Sequence, residues 1–106
     1  MEQIQVSALA LWLADPTRQQ PLILDVREQW EFDTAQIQNS HHIPMGKIME
    51  QFETLDKDKT IACLCHHGAR SMQVGLFLER QGFTVLNIQG GIDAWSRQVD
   101  PSVAIY

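Results

Sequence analysis

Thr60-Ile61-Ala62-Cys63-Leu64-Cys65-His66-His67-Gly68-Ala69-Arg70-Ser71 changes pattern halfway along, and that change decides the fold. The first six residues form a mostly apolar run of strand length. After Gly68 the apolar residues Val74, Phe77 and Leu78 recur at helical spacing, which predicts a helix over 69–81 with Gly82 as its C-terminal cap. A thiol at Cys65 would therefore meet the N-terminus of a helix. Unpaired N–H groups and the positive dipole end stabilise an anion there, and the thiolate is the reactive form of cysteine. Cys65 is thus a candidate nucleophile.

Outward from this stretch the same alternation repeats. Leu22-Ile23-Leu24-Asp25-Val26, led in by Pro21, is a run of the kind found in strands buried on both faces, and Phe83-Thr84-Val85-Leu86-Asn87-Ile88 is a last strand. Ile4 and Val6 give a short first strand, and residues 40–43 a brief one closed by Pro44. Between them Ser7 is expected to cap a helix carrying Leu9, Trp12 and Leu13, which Asp15-Pro16 ends. The polar segment 27–36 is expected to be partly helical, and 45–55 a helix with Ile48, Met49 and Phe52 on one side. Gly90-Gly91 turns the chain into a short helix with Ile92 and Trp95, followed by a tail from Val99 to Tyr106. Alternating strands and helices predict an α/β fold: a mostly parallel five-stranded sheet with helices on both faces and the strand C-termini along one ligand-binding edge. At 106 residues the expectation is one domain over 1–106.

Composition excludes several partners. A net charge of −5 argues against whole-surface attraction to nucleic acid or an anionic membrane. Met1-Glu2-Gln3-Ile4-Gln5 lacks the basic start and apolar core of a secretory signal, and no apolar run reaches the length of a membrane span, so a cytoplasmic protein is expected. Cys63 and Cys65, one residue apart on a strand, do not make a disulfide framework.

Three spaced motifs carry a family resemblance. Cys-x-x-Gly-x-Arg-Ser at 65–71, Asp25-Val26-Arg27-Glu28 and Gly90-Gly91-Ile92-x-Ala94-Trp95 together resemble a single-domain rhodanese, a sulfurtransferase, over about residues 22–96. The resemblance implies that Cys65 accepts a sulfane sulfur from a small donor such as thiosulfate and becomes a persulfide. That sulfur then passes to a thiophilic acceptor, a small thiol or a protein. Main-chain N–H groups of His66, His67, Gly68, Ala69, Arg70 and Ser71 would cradle the anion, and neither a metal nor an organic cofactor is implied. Cell-cycle phosphatases similar to this family carry Cys-x5-Arg. Cys65 to Arg70 is Cys-x4-Arg, one residue shorter, which favours sulfur transfer over phosphatase or arsenate reductase chemistry. A non-catalytic sulfur-sensing or partner-binding module is the alternative from another class. Many relatives carry Gly-His-Ile-x-Gly-Ala before the third strand, whereas at 35–44 this chain lacks both glycines and the first histidine, while Ile43-Pro44 keeps the end of the motif. The tail at 95–106 resembles the ending of rhodanese domains fused to adenylyltransferases that activate sulfur-carrier proteins, which makes a protein acceptor conceivable, with simple packing over the sheet the favoured reading.

The remaining residues have competing readings. Cys63 points to the same face as Cys65 and is read as a small core residue in preference to a resolving thiol. His66 and His67 either attract an anionic donor or are loop residues whose backbone alone matters. With the cysteines, His41 and His42 they suggest a soft-metal site, but the spacing matches no zinc motif. Arg70 either binds the donor at the pocket rim or pairs with a carboxylate. Asp25 and Arg27 are read as a structural ion pair, Gly90 and Gly91 as a tight turn, and Trp12, Trp30 and Trp95 as core or core-edge residues.

Overall fold

A computed structural model describes residues 1–106. Its strands are β1 (Glu2–Ile4), β2 (Leu22–Asp25), β3 (His41–His42), β4 (Ile61–Leu64) and β5 (Val85–Ile88); its helices are α1 (Val6–Leu13), α2 (Gln29–Thr34), α3 (Ile48–Gln51), α4 (Ala69–Arg80) and α5 (Gly91–Gln98). The five strands form one sheet in the order β1-β5-β4-β2-β3, and every neighbouring pair is parallel. β4 is the middle strand, so its C-terminal end lies between β2 and β5 at the centre of the ligand-binding edge.

The apolar runs are continuous because the sheet is covered on both faces. Ile61, Cys63 and Cys65 join one core with Leu24 and Val26, closed by Ile48 of α3 and Val74 and Leu78 of α4. Ala62 and Leu64 point the other way, into a second core with Ile23, Val6, Leu9 and Trp12 of α1 and Ile92 and Trp95 of α5. The period of two along β4 thus distributes one strand between two cores. No helix is long and apolar enough to cross a membrane.

Local expectations fail where short-range chemistry competes. α1 starts at Val6 behind Gln5, so Ser7 lies inside the helix instead of capping it. The predicted 45–55 helix is one turn of α-helix between two 3-10 turns, Met45–Lys47 and Phe52–Thr54. Lys47 donates to the Pro44 carbonyl and Leu55 to the Phe52 carbonyl, the i to i+3 bonds that tighten a short helix, and Gly46 weakens its first turn. In consequence Ile48 faces the core while Met49 is 70% exposed. Trp12 and Trp95 are buried as expected, but Trp30 is 62% exposed. The end of α4 follows the expectation: Gly82 has φ +92° and its N–H donates to the Glu79 carbonyl.

Candidate active site

Cys65 follows the last residue of β4 and is buried, with 1% of its surface exposed. Its Sγ accepts a hydrogen bond from the Gly68 N–H at 3.0 Å, and the Ser71 hydroxyl lies 3.3 Å away. Of the loop N–H groups expected to form a cradle, that of Gly68 is the one within hydrogen-bonding distance of the sulfur. Gly68 reaches this position with φ +117°, left-handed backbone that glycine adopts without a Cβ penalty, and it forms the N-cap of α4. Cys63 is fully buried within β4, and burial pushes its thiol up to about 12.

Two walls hold this loop. On one side α5 begins at Gly90 (φ +79°) and Gly91 (φ +61°), and the N–H groups of Ile92 and Asp93 donate to the carbonyls of Cys65 (2.9 Å) and His66 (3.1 Å). The helix thus caps carbonyls of the loop with its own unpaired donors. A Cβ on Gly91 would collide with both carbonyl oxygens, so the Gly-Gly pair is needed for close approach as well as for the turn. Asn87 of β5 completes this wall: its Oδ1 accepts from the Ser71 hydroxyl at 2.6 Å while its Nδ2 donates to the Gly68 carbonyl at 3.1 Å.

The second wall is ionic. Arg27 is fully buried, and all five of its guanidinium N–H donors find acceptors. Nε and Nη2 grip the Asp25 carboxylate at 2.9 and 2.7 Å; Nη1 serves the Glu31 carbonyl and the Tyr106 hydroxyl; Nη2 also reaches the Ala35 carbonyl. This completeness is what permits a buried charge. Glu31 receives four donors in turn: both Nη atoms of Arg70 at 2.6 and 2.9 Å, the Tyr106 hydroxyl at 2.7 Å and the Glu28 N–H at 3.1 Å. Arg70 foremost, with help from the other donors and against the effect of burial, lowers the Glu31 carboxyl to about 2. Asp25 and Arg27 thus form one ion pair, and Arg70 forms a second with Glu31.

The histidines are arranged by this wall. His66 stacks on Tyr106 with ring centroids 4.1 Å apart, and His67 lies against His66 at 3.9 Å. Burial first, and then His67, push the His66 imidazole below its ordinary value. His41 and His42 are elsewhere in function: His42 stacks on Phe32 and its Nε2 bonds the Arg27 carbonyl, so the cysteines and all four histidines do not converge on one ion. Sequence reasoning missed Glu31, Tyr106, Asn87 and Asp93. Asn87 left a signal, as the polar residue of an otherwise apolar strand, and Glu31 a weaker one, three residues after Glu28 at a helix start. Tyr106 left none.

Comparison with known proteins agrees with this construction. The family model for the rhodanese-like domain matches residues 9–98. YtwF of Bacillus subtilis (strain 168), which carries a sulfurtransferase name, is 40% identical over 101 residues, covering 95% of this chain and 98% of that one. The thiosulfate sulfurtransferase GlpE of Coxiella burnetii is 36% identical over 92 residues, covering 86% and 85%. A rhodanese-related protein from Thermoplasma volcanium superimposes over the full length of both chains with a TM-score of 0.87 at 30% identity. With the fold, the three motifs and these matches in agreement, the chain belongs to the rhodanese-like domain family.

Proposed function

We propose that this chain is a cytoplasmic sulfurtransferase that moves a sulfane sulfur from a small donor such as thiosulfate, through a persulfide on Cys65, to a thiophilic acceptor. The observation that carries the reading is the environment of Cys65 Sγ: it ends the central strand at the start of a helix, bonded by the Gly68 N–H and beside the Ser71 hydroxyl. An N–H that donates to sulfur favours the thiolate, and the same donor serves the terminal sulfur of a persulfide.

In the first displacement the Cys65 thiolate attacks the outer sulfur of thiosulfate. A sulfur–sulfur bond forms to Cys65 as the one within thiosulfate breaks, and sulfite leaves with the electron pair. In the second, an acceptor nucleophile, a small thiol, a protein thiol or cyanide in an assay, attacks the terminal persulfide sulfur and the Cys65 thiolate is released. The two steps conserve atoms and electrons and need no added oxidant or cofactor. A nearly enclosed sulfur suits transfer of a single atom. Arg70, already held by both oxygens of Glu31, is not poised to clamp a phosphoryl group, which favours this reading over phosphatase or arsenate reductase chemistry.

Intact-mass measurement after thiosulfate treatment tests the proposal directly. The chain should gain one sulfur atom, lose it to cyanide, and gain none in Cys65→Ser. A parent protein that neither gains nor loses sulfur would instead be a non-catalytic binding or sensing module.

A further inference from the structure

His66, His67 and Asp93 stand together beside the Cys65 loop, with one donor atom from each lying within 4.8 Å of the others. No step of the proposed transfer uses this trio. Its assembly follows from the backbone: the Asp93 N–H donates to the His66 carbonyl, which brings the first turn of α5 against the loop, and the stack of His66 on Tyr106 fixes the ring. A second observation points to a ligand. Nε2 of His66 is buried and has no hydrogen-bond partner, a position that costs free energy unless something occupies it.

We propose that His66, His67 and Asp93 form a binding site for a divalent transition-metal ion of the zinc, cobalt, nickel or copper class. Two imidazoles are borderline donors that select these ions over calcium or magnesium, which take all-oxygen ligand sets, and the carboxylate adds a hard oxygen that zinc also accepts. Bonds of ~2.0–2.1 Å to such an ion would bring the donor atoms to roughly 3.3 Å from one another, closer than they now stand. The exposed His67 ring and the Asp93 side chain make that adjustment by rotation, while His66 stays against Tyr106. Arg97 is the competitor: its Nε holds Asp93 Oδ2 at 3.0 Å, although its own side chain is 59% exposed and free to swing away. The site stands or falls independently of whether Cys65 transfers sulfur.

The test uses the full chain carrying Cys65→Ser, which removes the thiol as a rival ligand. Cobalt(II) and zinc(II) are titrated by calorimetry, cobalt also by its visible absorption, and the histidine ring protons are followed by NMR during zinc addition. One ion per chain is expected, with shifts at His66 and His67 and not at His41 or His42. Adding Asp93→Asn should weaken the affinity by ~10–100-fold, while Arg97→Gln, which frees the carboxylate, should bind at least as tightly as the parent. Absence of binding, shifts centred on His41 or His42, or an Asp93→Asn affinity equal to the parent's would each overturn the assignment.

Discussion

Cys63, inside β4, and Cys65, just past its end, lie two residues apart, face the same core and are equally hidden from solvent, yet only Cys65 has a backbone N–H at its sulfur. The difference is hydrogen bonding, not exposure. Cys63 sits where the β4 ladder consumes the neighbouring backbone donors, and burial foremost, with the charge of Cys65 adding to it, raises its thiol to about 12. Cys65 sits one step beyond the ladder, where Gly68 turns its N–H back to the sulfur and Ser71 adds a hydroxyl. A strand end thus supplies what a strand interior withholds, and the two walls hold that end in place.

Exchanging the two thiols gives the largest contrast. Cys65→Ser should remove persulfide formation and turnover entirely with thermal stability little changed. Cys63→Ala should leave persulfide formation intact but cost ~1 kcal/mol of stability for the small cavity in the core. Intact mass and thermal melts of both variants read the contrast, and a Cys63→Ala protein unable to gain sulfur would mean that the two thiols act together.

Moving the strand end without touching either sulfur should come next. Gly91→Ala puts a methyl group into the carbonyl oxygens of Cys65 and His66 and asks alanine to hold φ +61°. The loop must shift, and a displacement of ~1 Å at a reacting centre costs up to ~100-fold in rate. Gly46→Ala has open space around it and is the matched control, expected to keep full turnover. Equal thiosulfate:cyanide rates in the two variants would show that α5 does not position the nucleophile.

How much of this contrast is legible in the sequence depends on distance along the chain. The β4 run, the Gly68 turn and the α4 spacing are local signals, so Cys65 and its position at the strand end could be read directly, as could the Asp25 and Arg27 pair two residues apart. Glu31 meets Arg70 across 39 positions and Tyr106 across 75, contacts that exist only once the sheet has formed. Nothing local marks them. Trp30 departs from its expected burial for a related reason: aromatic size predicts burial on average, but here its neighbour Glu31 takes the inward position and leaves Trp30 at the surface, edge-on to Tyr106. Sequence patterns report faces and turns, whereas an ionic wall is assembled by topology.

Acid should dissolve that wall before it affects the strand interior. Glu31 has a folded-state value of about 2 against 4.5 ordinarily, so its contribution is fully present above about pH 4.5 and is lost as pH falls toward 2. The sign follows because the unfolded chain binds the proton more readily than the folded one. The shift corresponds to on the order of 3 kcal/mol, shared among the donors that make it. Denaturant melts between pH 6 and 2 should therefore lose stability more steeply in the parent than in Glu31→Gln, which begins weaker and has no carboxylate to protonate at this position. Parallel pH curves for the two proteins would contradict the role given to Glu31.

The smallest effect should come from one oxygen atom. The Tyr106 hydroxyl accepts from Arg27 and donates to Glu31, so it links the two ion pairs alongside the direct bond from Arg27 to the Glu31 carbonyl. Tyr106→Phe keeps the ring on His66 but removes this link, leaving one Arg27 donor without an acceptor and one Glu31 oxygen short of a donor. A hydrogen bond to a charged group is worth ~1.5–3 kcal/mol net, and the hydroxyl lies in a half-buried position where water can replace part of it, so a loss of ~1 kcal/mol is expected. Turnover should fall only a few fold, because Gly68, Ser71 and the α5 wall are untouched. Thermal melts and thiosulfate:cyanide assays together decide the matter: a large loss of turnover with unchanged stability would mean that the Tyr106 hydroxyl acts on the sulfur chemistry itself, and that the ionic wall does more than hold the strand end in place.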